Sequence, residues 1–170
     1  YAARGYALLL HGRRREKLEP LCEELKARHG VRAEYVLAEL SHSDGVRALE
    51  ERLRSIPDLD VLVNNAGYGL STSFAQGSIE AQEEMVHAHV NATIRLTHAV
   101  LPGMRQRNSG TIINVSSIAG FLVGPKSATY CATKGYITSF TESLHLELAG
   151  SGIRLQSLCP GYTRSDFHAR

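Results

Sequence analysis

Residues 114–134 read NVSSIAGFLVGPKSATYCATK, and this stretch sets the expectation for the rest of the chain. Tyr130 and Lys134 fall four apart in a segment, 127–149, whose composition predicts a helix, so their side chains lie over one another on one face. A phenol with an ordinary pKa of about 10 exchanges protons poorly at neutral pH, and a neighbouring ammonium favours its anion. The pair is a candidate general acid/base. Most Tyr/Lys pairs at this spacing are surface pairs, so the surroundings carry the argument. The apolar run 111–115 reads as a buried strand, it ends on Ser116 and Ser117, and open α/β sheets bind ligands at the carboxyl ends of their strands. Two consecutive extended residues point to opposite sides, so only one serine can face a ligand, and the residues themselves do not say which.

Working outward, strands and helices alternate. Residues 6–11 read as a strand, and 14–29 as an amphipathic helix, with Leu18, Leu21, Cys22 and Leu25 on one face and Gly30 closing it. A weaker strand covers 32–38. A helix over 43–56 has Asp44 at its start and Val46, Leu49 and Leu53 on one side. The run 58–64 predicts a strand buried on both faces. After a loop rich in Gly, Ser and Thr over 67–77, Ser78 caps a long helix that starts with Glu80, Glu83 and Glu84. It runs through Val86, Val90, Ile94, Thr97 and Leu101 until Pro102 and Gly103 disturb it, with a stop at 108–110. The last strand, 154–159, ends at Pro160 and Gly161. This alternation implies βαβ units, a parallel sheet and one domain over residues 1–170.

Composition bounds the function. Apolar residues are 43%, charged residues 21% and the net charge is +2, which gives no argument for nucleic acid or a membrane surface as partner. The three cysteines, Cys22, Cys131 and Cys159, are odd in number and widely spaced, which suggests a reducing compartment, and the chain reads as cytoplasmic. No metal site is expected: His87 and His89 stand two apart on a helix without further ligands at metal spacing. There is no G-x-S-x-G elbow, and Cys131 has no evident base.

Tyr130-x-x-x-Lys134, the serine thirteen residues before that tyrosine, Asn64-Asn65-Ala66-Gly67, Asn91 and Pro160-Gly161 come in the order found in the short-chain dehydrogenase/reductases. Over residues 1–166 the chain resembles that family in its single-domain form. The resemblance implies a Rossmann-like doubly wound parallel sheet, here without the first strand and its Gly-rich turn and without the C-terminal segment. The opening residues, which look like a helix tail closed by Gly5, fit a missing N-terminus.

The resemblance also assigns roles. Tyr130 gives or takes the alcohol proton, Ser117 is the serine that donates to the substrate oxygen, Lys134 lowers the Tyr130 pKa and binds the ribose, and Asn91 holds a water in a proton relay. Arg13 stands at the ribose-binding position, where an arginine accepts a 2′-phosphate, so NADP(H) is expected over NAD(H). Glu39 takes the place of an aspartate that faces the adenine. Asn64, Ala66 and Gly67 contact adenine and ribose, Pro160 and Gly161 shape the final turn, and Thr163 and Ser165 bind the carboxamide. The implied activity is that of a carbonyl reductase or alcohol dehydrogenase acting on a ketone or secondary alcohol, as a homodimer or homotetramer through the Asn91 and Tyr130 helices. The rival expectation is a truncated, non-catalytic piece or oligomerisation module that keeps relics of this site.

Overall fold

The computed structural model describes residues 1–163, and all of its strand pairs are parallel. Contacts divide the chain into two compact units, Tyr1–Glu39 and Leu40–Arg170. Ser165, an expected carboxamide contact, lies outside the described residues.

The first unit opens with a 3-10 turn, Ala2–Arg4, and continues as β1 (Leu8–Gly12), α1 (Arg15–His29) and β2 (Ala33–Leu37). β1 and β2 pair with Leu8 opposite Ala33 and Gly12 opposite Leu37. Cys22 of α1 is buried, together with Val31 and Ala33. On the outer side Arg15 donates to the Tyr35 hydroxyl at 3.1 Å, with its guanidinium 5.8 Å from the ring centroid.

The second unit runs α2 (Ser43–Arg54), β3 (Val61–Asn64), α3 (Ile79–Val86), a π-turn (His87–Asn91), α4 (Ala92–Arg107), β4 (Gly110–Val115), a 3-10 turn (Ile118–Phe121), α5 (Ala128–Glu147) and β5 (Ile153–Leu158). The sheet order is β3-β4-β5. β4 is central and carries Ile112 and Asn114 fully buried. β3 is shorter than its apolar run: its pairing with β4 starts with Val61 opposite Thr111 and ends with Asn64 opposite Asn114. It is also an edge in this sheet, with Val63 44% exposed rather than buried on both faces.

The long helix differs from its expected form in two ways. A π-turn at His87–Asn91 divides it, and Pro102 does not disturb it, since α4 continues to Arg107 and closes at Asn108 with φ 49°. Proline removes the N–H that would bond the carbonyl four residues back. That carbonyl belongs to His98, on the exposed side of α4, where water can satisfy it. Among the described residues no helix is long and apolar enough to cross a membrane.

α2 presents Val46, Leu49 and Leu53 to the core, as their spacing predicts. It is fastened to α4 by a charge cluster that the spacing did not announce. Glu50 is buried, and its carboxylate accepts from Arg54 one turn along α2 and from Arg95 of α4, with the Arg95 Nε at 2.9 Å. A buried carboxylate without partners would be costly, so the two half-exposed guanidinium groups hold the helices in one register. Replacing Glu50 by Ala should lower stability by about 1–3 kcal/mol, read as a shift in the urea midpoint without a change in slope; an unmoved midpoint would show that the cluster contributes nothing.

Candidate active site

β4 hands over to the site at Val115, Ser116 and Ser117. Ser116 turns inward and is buried; its hydroxyl donates to the Lys134 carbonyl at 2.7 Å and accepts from Thr138 at 2.9 Å. Ser117 turns the other way and is half-buried. Its Oγ accepts from the Ala119 N–H at 3.1 Å, and a hydrogen bond with Tyr130 acts to lower the phenol pKa. The serine that the residues left undecided is therefore fixed by strand alternation: Ser116 belongs to the core and Ser117 to the Tyr130 side.

The 3-10 turn after Ser117 can lie against α5 because Gly120 has no side chain. A Cβ there would come within 2.9 Å of the backbone at Lys134 and Gly135. This contact sets the distance between the serine and the tyrosine/lysine turn of α5.

Lys134 is 4% exposed, and its Nζ donates to the Val115 carbonyl at 2.9 Å. Burial pushes its pKa down to about 8, only partly offset by Cys159. Its ammonium lies 5.7 Å from the centroid of the Tyr130 ring. The expected lowering of the Tyr130 pKa is not found: burial pushes the phenol up, and the opposing influence comes from Ser117. Burial is the larger influence on the phenol, and the Lys134 Nζ donates to the Val115 carbonyl.

Asn64 holds the core as much as it faces any ligand. Its amide donates to Thr97 at 3.1 Å and to Asn114 at 2.8 Å, and Asn114 donates on to Thr141 of α5 at 2.9 Å. What Asn64-Asn65-Ala66-Gly67 leaves toward solvent is backbone and the exposed Asn65 and Ala66. Gly67 is a close approach, for a Cβ there would lie 3.0 Å from the His89 Nε2 and 3.5 Å from the Lys134 Nζ.

Asn91 ends the π-turn, half-buried, and makes no hydrogen bond to Ser117, Tyr130 or Lys134. In the same turn the buried Nδ1 of His87 has no hydrogen-bond partner among the described residues. Pro160 and Gly161 follow β5 beside the 3-10 turn, where the Pro160 carbonyl accepts from the Ile118 N–H at 3.1 Å. Thr163 is exposed and donates to the Gly161 carbonyl at 3.2 Å. In the first unit, Arg13 and Glu39 form an ion pair at 3.0 Å, and both are substantially exposed.

The residues that sequence reading missed are the buried polar ones. His89 is fully buried, edge-on to both Tyr68 and Tyr130 with centroids 5.8 Å away in each case. Its Nε2 accepts from the Tyr68 N–H at 3.0 Å, and its Nδ1 is 2.9 Å from the Thr133 hydroxyl. A shallow groove beside Tyr130 is lined by Leu70, Phe74, Met85, Gln82 and Lys126, with Phe121, Leu122 and Val123 exposed on the neighbouring segment.

The chain matches the short chain dehydrogenase family over residues 1–170 and belongs to it. A short-chain dehydrogenase of Sphingobium yanoikuyae, solved in complex with NADPH, superposes with a TM-score of 0.96 at 34% identity, over 99% of this chain and 66% of that one. The bulky-bulky ketone specific alcohol dehydrogenase of Comamonas testosteroni gives a TM-score of 0.92 at 31% identity, over 96% and 66%. An NADP-dependent 3-hydroxy acid dehydrogenase of Salmonella typhi is 36% identical over 166 residues, covering 95% of this chain and 64% of its own length. The chain spans about two thirds of the length of the curated relatives it matches. The α/β class with parallel strands expected from the sequence is the architecture observed.

Burial of His89 has a consequence measurable without any ligand. Desolvation, with Lys134 adding repulsion, lowers its pKa from 6.5 to about 3. Between those values the unfolded chain takes up a proton that the folded chain refuses, so folding stability falls as pH drops from 6.5 toward 3, by up to about 1.4 kcal/mol per pH unit. Urea midpoints measured across this range should show that slope in the parent and a flatter one in His89→Gln; equal slopes would refute the assignment.

Proposed function

We propose that this chain carries the proton-transfer and nicotinamide-binding groups of an NADP(H)-dependent reductase acting on a ketone or secondary alcohol, with both units as parts of one dinucleotide-binding domain. The observation that carries the reading is the convergence of Ser117, Tyr130 and Lys134 at the end of the central strand, with Ser117 bonded toward the phenol and Lys134 buried beneath its ring.

The donor set suits the cofactor. An ammonium has three N–H donors, and Lys134 uses one of them on Val115, which leaves two for ribose hydroxyls. Gly67 keeps that ammonium clear of any side chain from the preceding loop. Arg13 can exchange Glu39 for a 2′-phosphate, because an exposed ion pair is worth only about 0–1 kcal/mol and the phosphate offers a bidentate partner. Bound NADPH would supply the hydride. Tyr130, kept protonated by burial, donates its phenolic proton to the carbonyl oxygen, and Ser117 donates a second hydrogen bond to the same oxygen. Lys134 holds the ribose and the last turn of β4 in register. Asn91 and the irregular backbone of its π-turn are suited to a water that returns protons to Tyr130. Ala66, Gly67, Pro160, Gly161 and Thr163 supply backbone and hydroxyl contacts to the cofactor. The exposed apolar side chains Phe74, Phe121 and Leu122 favour a carbonyl with apolar substituents, and assembly as a homodimer or homotetramer belongs to the same reading.

In the protein carrying this sequence, Tyr130→Phe should reduce turnover of ketone substrates by about 100- to 10,000-fold while NADPH still binds; retained turnover would sink the assignment. Arg13→Leu should weaken NADPH by about 10- to 100-fold and leave NADH nearly unaffected, measured by fluorescence titration of each cofactor. Equal effects on the two would remove Arg13 from the phosphate site.

A further inference from the structure

His89 is the buried titratable group that the proton-transfer reading does not use. The hydrogen-bond geometry at its two nitrogens favours one tautomer. The Tyr68 N–H can only donate, so Nε2 must be the bare acceptor. The single proton of the neutral ring is then on Nδ1 and is donated to the Thr133 hydroxyl, which in turn donates to the Tyr130 carbonyl at 2.8 Å. Every proton along the path Tyr68–His89–Thr133–Tyr130 has one direction.

The two ends of this path lie on different machinery. Tyr68 directly follows Asn64-Asn65-Ala66-Gly67, and Gly67 packs 3.0 Å, measured to a Cβ built on it, from the same Nε2. Thr133 lies between Tyr130 and Lys134 on α5 and bonds back to the tyrosine's own carbonyl. Among the described residues the groups facing the ring are the Tyr68 and Tyr130 aromatic rings and the Lys134 ammonium, and neither nitrogen meets a carboxylate. A leucine would fill much of the volume but would take away the acceptor of the Tyr68 N–H and the donor to the Thr133 oxygen, so packing alone does not account for an imidazole here.

We propose that His89 is a two-sided positioning residue: its Nε2 fixes the Gly67–Tyr68 loop, and its Nδ1, through Thr133, fixes the turn of α5 that carries Tyr130 and Lys134. This rests on the reading of Tyr130 and Lys134 given above and adds that one ring keys the cofactor side of the site to the proton-transfer side. The two nitrogens are separable by substitution. Asn in place of His89 keeps a donor near the Nδ1 position and loses the Nε2 acceptor, whereas Thr133→Val removes only the acceptor of the Nδ1 proton.

The first measurement needs no variant and no substrate: long-range 1H–15N spectra of histidine-labelled protein. The expected result is an Nδ1–H tautomer for His89 that does not titrate between about pH 5 and 8. An Nε2–H tautomer, or a titration within that window, overturns the proposal. In steady-state kinetics, Thr133→Val should lower kcat about tenfold with the NADPH dissociation constant within about twofold, and Thr133→Ser should restore kcat to within about threefold. His89→Asn should instead raise the NADPH dissociation constant about tenfold. A Thr133→Val enzyme with parental kcat, a Thr133→Ser enzyme no better than it, or His89→Asn with parental cofactor affinity would each overturn the division of roles. Turnover surviving in Tyr130→Phe would defeat the proton-transfer reading alone, because the tautomer and the cofactor affinity do not depend on it.

Discussion

A buried ammonium has to be held by something, and in this chain Lys134 is held by the last carbonyl of the central strand. Among the described residues no carboxylate pairs with it; the Val115 oxygen and the Tyr130 ring face stand against its charge, and burial brings its pKa down to about 8. That arrangement joins α5 to β4 at one level. Once it is made, Ser117 has to leave the strand next to Tyr130, and Gly120 and Gly135 have to pass each other backbone against backbone. The catalytic spacing proposed for this chain thus follows from how one cation is accommodated at a strand end.

The rest of the α5 interface is polar in the same spirit. Thr133, Thr138 and Thr141 are buried on this helix, and each has a hydroxyl partner: the Tyr130 carbonyl, Ser116, and Asn114 together with the Ile137 carbonyl. Asn114 in turn reaches Asn64, and Asn64 reaches Thr97, so one series of amides and hydroxyls crosses from α4 through two strands to α5. Apolar contact tolerates sliding, whereas a satisfied buried network has one register. Helices that must present a tyrosine and a lysine at fixed height gain positional definition from such a seam.

This polarity also explains what could and could not be read from the sequence. Helices with an apolar stripe were legible: α2 buries the Val46, Leu49 and Leu53 that its spacing predicts. The Tyr130/Lys134 helix and the strand before it were placed within a few residues, and the alternation that separates Ser116 from Ser117 needed only an extended backbone. Asn114, His89 and the buried threonines were not legible, because polar residues inside a segment read as solvent-facing unless their partners are known. His89 did leave a trace. It falls four residues after Met85 and four before Thr93 on the side that continues through Leu96 and Val100, all buried, so its place on the inner stripe was available in the spacing. The π-turn at His87–Asn91 and the passage of α4 through Pro102 left no signal, since both depend on which carbonyls can reach water or a neighbour.

Strand alternation at Ser116 and Ser117 bears on how this segment can change over generations. The two side chains differ only in which side of β4 they leave, and that is decided by counting residues from the paired part of the strand. An insertion or deletion of one residue between Gly110 and Val115 would reverse the parity, sending the core serine toward Tyr130 and the site serine into the Thr138 pocket, although no chemical group had been lost. Length variation is therefore excluded from β4 by arithmetic, while the loop after Gly67 and the exposed segment Phe121–Val123 carry no such count. A change of length in those segments leaves the side on which each serine emerges untouched, whereas the strand that delivers them is tied to its residue count.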